Sequence, residues 1–326
     1  MSTNPISDVI AKRIESPKTM ASTTRCIAHT ASANRVTNRA KTSNVARSRT
    51  ARFGVVARAS KEEELMAKLM GMMGLKSDMV TEDSALPGRD ATMRVSDFHY
   101  VFKKNKMKEP FPENLEQCVF ATGCFWGTEK MFWRMPGVYT TAVGYVGGFT
   151  KNPSYEEVCS GRTGHTECVR VVYDPSVVSF ADLLSMHWTC HDPTQGNRQG
   201  NDRGTQYRSG IYCSTEEQLA MAKASAEVYQ EALKKAGRGE AITSEIKGPG
   251  DVFYFAEDYH QQYLAKPMAR PYCSAQPTGV PVPEDWLKAN GAKFGMGFWK
   301  TYGPRPGCTI NVPNGQVTLD EALAAN

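Results

Sequence analysis

The sequence predicts an α/β protein in which helices pack on one sheet as a two-layer α+β sandwich. Three features predict it. From residue 115 onward, apolar runs of strand length alternate with segments of helical period. His165 to Tyr173 alternates with period two and is bounded by Asp174-Pro175. Ser214 with Glu217 forms a capping-box pattern, and Gly237 marks a stop. Between them Leu219, Ala222, Ala226, Tyr229 and Leu233 fall on one helix face.

In chain order, Cys118-Val119-Phe120-Ala121 reads as a strand that leads into Thr122-Gly123-Cys124-Phe125-Trp126-Gly127-Thr128-Glu129. Thr128 to Arg134 reads as a helix leaving that turn. Val138 to Val146 is a second strand, ending in Gly144-Tyr145-Val146-Gly147-Gly148. After the His165–Tyr173 strand, Phe180 to Cys190 forms a helix, and a polar loop runs from His191 to Tyr207. A strand from Ser209 to Cys213 precedes the long helix. Strands around Ala241–Ile246 and Val252–Phe255 and a short helix from Ala256 to Lys266 complete the core of a domain over 115–281. Residues 61–114 form an N-terminal extension. Its first part is a short helix with a packing stripe of Met66, Met70 and Met73, and residues 77–114 show no period. Residues 282–326 form a C-terminal tail carrying Trp286, Trp299 and Cys308, with no place assigned by pattern.

Charge is unevenly spread. The chain carries a net charge of +5, yet residues 1–60 hold eleven Lys/Arg against Asp8 and Glu15, which leaves the rest net negative. A nucleic-acid partner therefore loses its support. The hydroxyl-rich, nearly acid-free composition of 1–60 suits an organellar transit peptide, plastid in preference to mitochondrion, with a cleavage region at Val55-Val56-Ala57-Arg58-Ala59-Ser60. No run approaches the roughly eighteen apolar residues of a membrane span. The nine cysteines contain no Cys-x-x-Cys, which argues against a zinc site and a thioredoxin-type dithiol.

Cys124 falls at a strand-to-helix turn, where free amides and the helix macrodipole are expected to stabilise a thiolate and lower its pKa. Phe125 and Trp126 follow and can wall an apolar pocket. Period-two alternation places Glu167 with Val169, Val171 and Tyr173, opposite Cys168 and Arg170. A carboxyl on an apolar face is desolvated and keeps its proton near neutrality, as a general acid must. Tyr145 and Tyr207 sit beside glycines or polar loop residues, so each phenol can reach out of the core. A thiol, an acid and aromatic walls suit sulfoxide reduction. A Cys-His hydrolase with Cys124 and His165 or His191, or a non-catalytic redox-sensing module, stands as the alternative.

The chain resembles the A-type peptide methionine sulfoxide reductases over residues of about 115 to 280. The resemblance rests on Gly123-Cys124-Phe125-Trp126-Gly127, Gly144-Tyr145-x-Gly147-Gly148, Gly164-His165-Thr166-Glu167, Asp202-x-Gly204-Thr205-Gln206-Tyr207 and Gln261-Gln262-Tyr263-Leu264. It implies a ferredoxin-like core with added loops. It further implies thiol-dependent reduction of methionine S-sulfoxide, free and in proteins, with no bound cofactor and thioredoxin as external dithiol. Monomeric behaviour and the absence of a membrane partner are expected as well. Under it Cys124 is the nucleophile and Glu167 the acid. Tyr145 and Tyr207 contact substrate, Asp202 orders the site and its water, and Phe125 and Trp126 hold the methyl group. His260 matches a family block but stays outside the catalytic set.

A sulfenic acid on Cys124 needs a second thiol. Cys26 lies in the transit segment, Cys118, Cys168 and Cys213 in strands, Cys190 at a helix end and Cys159 in a short turn. Cys273 lies in a loop bounded by Pro271 and Gly279, and this block resembles the family's resolving loop. The resemblance thus implies a Cys124–Cys273 disulfide, with Cys308 as an optional relay.

Overall fold

The apolar run before Cys124 is the third strand, a central one, in a mixed sheet of six. A computed structural model describes residues 79–305 and 311–326. The expected transit segment, the Met66–Met73 stripe, Cys26 and Cys308 lie outside those residues.

The elements that build the site are β1 (Glu116–Thr122), α1 (Phe125–Trp133), β2 (Val138–Val146), α2 (Tyr155–Cys159), β3 (Thr166–Tyr173) and α3 (Phe180–Cys190). A two-stranded ribbon, β4 (Arg198–Gln199) with β5 (Asp202–Arg203), crosses the polar loop. Then come β6 (Ser209–Cys213), α4 (Glu216–Lys235), β7 (Glu245–Lys247) and β8 (Tyr254–Phe255). The sheet order is β7-β6-β1-β3-β2-β8. All pairs are antiparallel except β6 with β7.

The period-two reading of β3 matches its two faces. Val169, Val171 and Tyr173 join the main core with Phe132, Leu183, Leu184 and Tyr229 from the helices. Cys168 belongs to a small cluster on the opposite face with Val119 and Tyr212. There Arg170 lies over Phe253 and Phe255, 4.7 and 4.9 Å from the ring centres. Helices thus cover one face, and loops cover the other.

Several local readings shift. Helix α1 starts at Phe125 rather than Thr128, because Cys124 itself is the N-cap. The cap of α4 is Thr215, whose hydroxyl accepts the Gln218 N–H. Ser214 instead donates its N–H to the Gln218 side chain at 2.9 Å. Cys159 ends a short helix, not a turn. The strands expected at Ala241–Ile246 and Val252–Phe255 shrink to β7 and β8. No α-helix forms over Ala256–Lys266. Gln262 is left-handed (φ 47°, ψ 40°), and only a 3-10 turn, Tyr263–Ala265, follows. Side chains outbid the helix there: Gln261 bonds the Val143 N–H and C=O and the Ala256 carbonyl, each at 2.9 Å.

The C-terminal tail is part of the core. It forms α5 (Glu284–Ala289), α6 (Met296–Tyr302) and α7 (Leu319–Ala324). Leu287, Phe294, Phe298, Val317 and Ala322 are buried against the helical layer. Asp182, whose carboxylate also closes the Ser179 capping box of α3, accepts the Lys293 and Phe294 amides at 2.8 and 3.2 Å. The N-terminal extension buries Met107 and His99 completely. A cavity of about 420 Å³ opens between α3, residues 277–282 and α6, and none of the candidate catalytic residues lines it.

Candidate active site

Strand β1 ends at Thr122, and Gly123 turns the chain at φ +94°, where a Cβ would lie 2.6 Å from the Gln199 side chain. Only glycine fits that turn. Thr128 Oγ1 lies 2.6 Å from Thr122 Oγ1 and donates to the Cys124 carbonyl at 3.1 Å, which locks the first turn of α1. The Trp126 N–H points at the Cys124 sulfur. The Phe125 N–H does not. It donates to Glu167 Oε2 at 3.0 Å, so the amides at the helix start are divided between a thiol and a carboxyl.

Glu167 is 2% exposed. Burial pushes its carboxyl up to about 8, the Asp202 charge acts in the same direction, and the Phe125 N–H opposes them. The lowered thiol pKa expected at Cys124 is overturned. Burial pushes this half-buried thiol well above its usual range, and the charges of Glu167, Asp202 and Cys273 add to it. Only the Trp126 N–H pulls it down. A helix terminus contributes about 0.3–2 kcal/mol, which is less than the cost of holding a buried anion beside carboxylates. At neutral pH the thiol and the acid both hold their protons.

Tyr145 faces Glu167 across the β2–β3 register. Its hydroxyl donates to Glu257 Oε2 at 2.9 Å, and the Tyr155 N–H donates to Glu257 Oε1 at 2.8 Å. Glu257 and Tyr155 were not legible as site residues. Burial raises the Tyr155 phenol, with Cys159 and then Glu167 adding to it, and Tyr207 is raised by burial and then by Glu167. Both tyrosines therefore sit within the field of the acid as neutral donors.

The aromatic wall is tightly backed. The Phe125 ring lies 6.1 Å from Tyr145 and 5.0 Å from His260. Trp126 stacks on Tyr263 at 3.9 Å and donates its Nε1–H to His260 Nδ1 at 3.0 Å. Burial lowers His260 to about 4, so its ring is neutral. Asp202 has a contact the sequence did not suggest: it accepts the hydroxyls of Tyr272 and Ser274, the two neighbours of Cys273. The Gln276 N–H donates to Gln199 Oε1 at 3.0 Å, which ties the same loop to the β4–β5 ribbon. Cys124 and Cys273 are both free thiols.

Neither His165 nor His191 is available as a hydrolase base. His165 uses Nδ1 on the Gly148 amide and Nε2 on the Thr150 carbonyl. His191 is spent on the His187 carbonyl and the Ser209 hydroxyl. Among the described residues no group of three His, Cys, Asp or Glu could hold a metal ion. No described helix is long and apolar enough to cross a membrane.

The model of the family "Peptide methionine sulfoxide reductase" matches residues 116–282, from the start of β1 past the Cys273 loop. The chain belongs to this family. Its members are oxidoreductases acting on sulfur. A peptide methionine sulfoxide reductase MsrA of Salinispora arenicola is 53% identical over 224 residues, 68% of this chain and all of the relative. MsrA 1 of Synechocystis is 55% identical over 212 residues, 65% of this chain and 94% of the relative. The solved methionine sulfoxide reductase A of Corynebacterium diphtheriae is similar with a TM-score of 0.56 at 43% identity. That match covers 64% of this chain and all of that one.

Proposed function

We propose that this protein reduces methionine sulfoxide, free and in proteins, to methionine, with Cys124 as oxygen acceptor and Glu167 as proton relay. The observation that carries the reading is the buried Glu167, its carboxyl pushed up by burial, hydrogen-bonded to the amide that follows Cys124. Glu167 gives its proton to the sulfoxide oxygen, and the resulting carboxylate takes the Cys124 proton. The thiolate so formed accepts the oxygen. Methionine leaves reduced by two electrons, Cys124 becomes a sulfenic acid, and Glu167 again holds a proton. This sequence needs no resident thiolate, which suits the raised thiol. Tyr207 and Tyr155 donate to the oxygen as charge develops, whereas the Tyr145 hydroxyl is committed to Glu257. Phe125 and Trp126 enclose the methyl group and attract the sulfur while it is cationic.

Cys273 then attacks the sulfenic sulfur, an S–S bond forms and water leaves. An external dithiol, thioredoxin under the family resemblance, reduces the disulfide. Preference for the S epimer and Cys308 as relay rest on the same resemblance. Residues 1–60 are read as an organellar transit peptide, plastid in preference to mitochondrion, on their basic and hydroxyl-rich composition.

The test is Glu167→Gln in a single-turnover assay with N-acetyl-methionine sulfoxide. The reductive step should fall about 10²–10⁴-fold, the range for a lost general acid, while iodoacetamide labelling of Cys124 persists. An unchanged single-turnover rate moves the acid role to another group.

A further inference from the structure

Glu129 lies on the same helix as the nucleophile, five residues beyond Cys124 and three beyond Trp126. It is completely buried. Its carboxylate accepts three hydrogen bonds from elsewhere in the fold. Thr141 Oγ1 donates to Oε1 at 3.0 Å, Gln262 Nε2 donates to Oε1 at 2.6 Å, and the Gln262 backbone N–H donates to Oε2 at 2.7 Å. Thr141 is itself bonded to His99 Nε2 at 3.0 Å, so the carboxylate has a fixed anchor on β2.

Gln262 is the residue that breaks the expected 256–266 helix, and a glutamine in the left-handed region is held there against its preference. That twist sets the positions of His260 and Tyr263. His260 accepts the Trp126 indole N–H, and Tyr263 stacks on the indole face. The chain of contacts therefore leaves α1 at Glu129, passes through Gln262 and returns to α1 at Trp126. A carboxylate that served stability alone has no need of this return path.

We propose that Glu129 is a positioning residue that holds the Trp126 wall of the methyl pocket through the left-handed turn at Gln262. It touches neither sulfur nor oxygen. Its effect is on how well the sulfoxide is seated, so it belongs to substrate binding and not to proton transfer. The inference rests on the proposed sulfoxide reduction, and the two fail differently. A wild-type protein that forms no methionine rejects the activity. An active wild type with indifferent Glu129 variants rejects only this proposal.

The experiment is Glu129→Gln on the full chain, with N-acetyl-methionine sulfoxide and dithiothreitol. The amide is isosteric and keeps an acceptor for Thr141 and Gln262 Nε2, but its NH2 then meets the Gln262 N–H, donor against donor. KM should rise about tenfold, the scale of one lost hydrogen bond, with kcat within about twofold. The labelling rate of Cys124 should not change. Glu129 acts through Trp126, so combining Glu129→Gln with Trp126→Phe should raise KM by less than the product of the single effects. If Glu129→Gln does not fold, Glu129→Asp keeps the charge, and its withdrawn carboxylate should give a smaller KM rise with kcat retained. A loss confined to kcat, an unchanged KM in the variant that folds, or full multiplicativity with Trp126→Phe overturns the proposal.

Discussion

The surroundings of Cys124 and Cys273 are built on opposite plans. Cys124 caps a helix at the end of a central strand, and Glu167 beside it is the second residue of β3, a strand buried along its whole length. Cys273 sits in residues 270–279, which form neither helix nor strand. That loop is held by side chains: Asp202 on Tyr272 and Ser274, Gln199 on Gln276, and Thr278 on Tyr229. A nucleophile and its acid need fixed geometry to a fraction of an ångström. In the proposed cycle a resolving thiol must instead travel to bond distance and then present a disulfide to a second protein. The scaffold supplies rigidity to the first region and releasable polar contacts to the second.

The largest expected effect tests that division directly. Cys124→Ser should abolish sulfoxide reduction even in a single turnover, because a hydroxyl cannot take the oxygen. Cys273→Ser should leave the first turnover intact and abolish recycling by thioredoxin. Quenched-flow detection of methionine separates the two, and a lost first turnover in Cys273→Ser collapses the distinction.

A smaller effect comes from pH. The raised carboxyl of Glu167 is protonated below its pKa of about 8 and loses that proton above it. The reductive step should be flat through neutrality and then fall toward tenfold per pH unit, as for a general acid that must be protonated. Recycling through Cys273 should not share that limb. In Glu167→Gln the limb should vanish from the single-turnover profile.

The smallest effect sharpens the contrast in rigidity. Asp202→Asn weakens the acceptor shared by Tyr272 and Ser274. Amide hydrogen exchange over 272–276 should then quicken about tenfold, the scale of one such bond, with β3 unchanged. Equal loosening of β3 shows that the two regions are not independent.

Much of the first region was legible in the sequence, because its signals are local. A strand period put Glu167 on the apolar face, a glycine before Cys124 announced a turn, and apolar runs marked β1, β2 and β3. The second region and the support of the first were not. Glu129, Tyr155 and Glu257 act through partners more than a hundred residues away, and no period registers such contacts. The short helix over 256–266 failed for the same reason. Its local pattern is helical, but Glu129 and Val143 claim the backbone and side chains of Gln262 and Gln261. The thiol pKa went astray because a helix start is visible in sequence and the depth of burial beside a second acid is not.

By itself the sequence determined the α/β class, the strand-to-helix turn at Cys124 and the apolar strand face that carries Glu167. Each depends on spacing within a few residues, which covalent geometry carries directly into structure. The tertiary fold alone decided the upward push of burial on the Cys124 thiol, the clamp of Asp202 on the Cys273 loop, the left-handed turn at Gln262 and the burial of Leu287, Phe294, Phe298, Val317 and Ala322 in the core. Those depend on which distant groups exclude water from one another, and that is a property of packing.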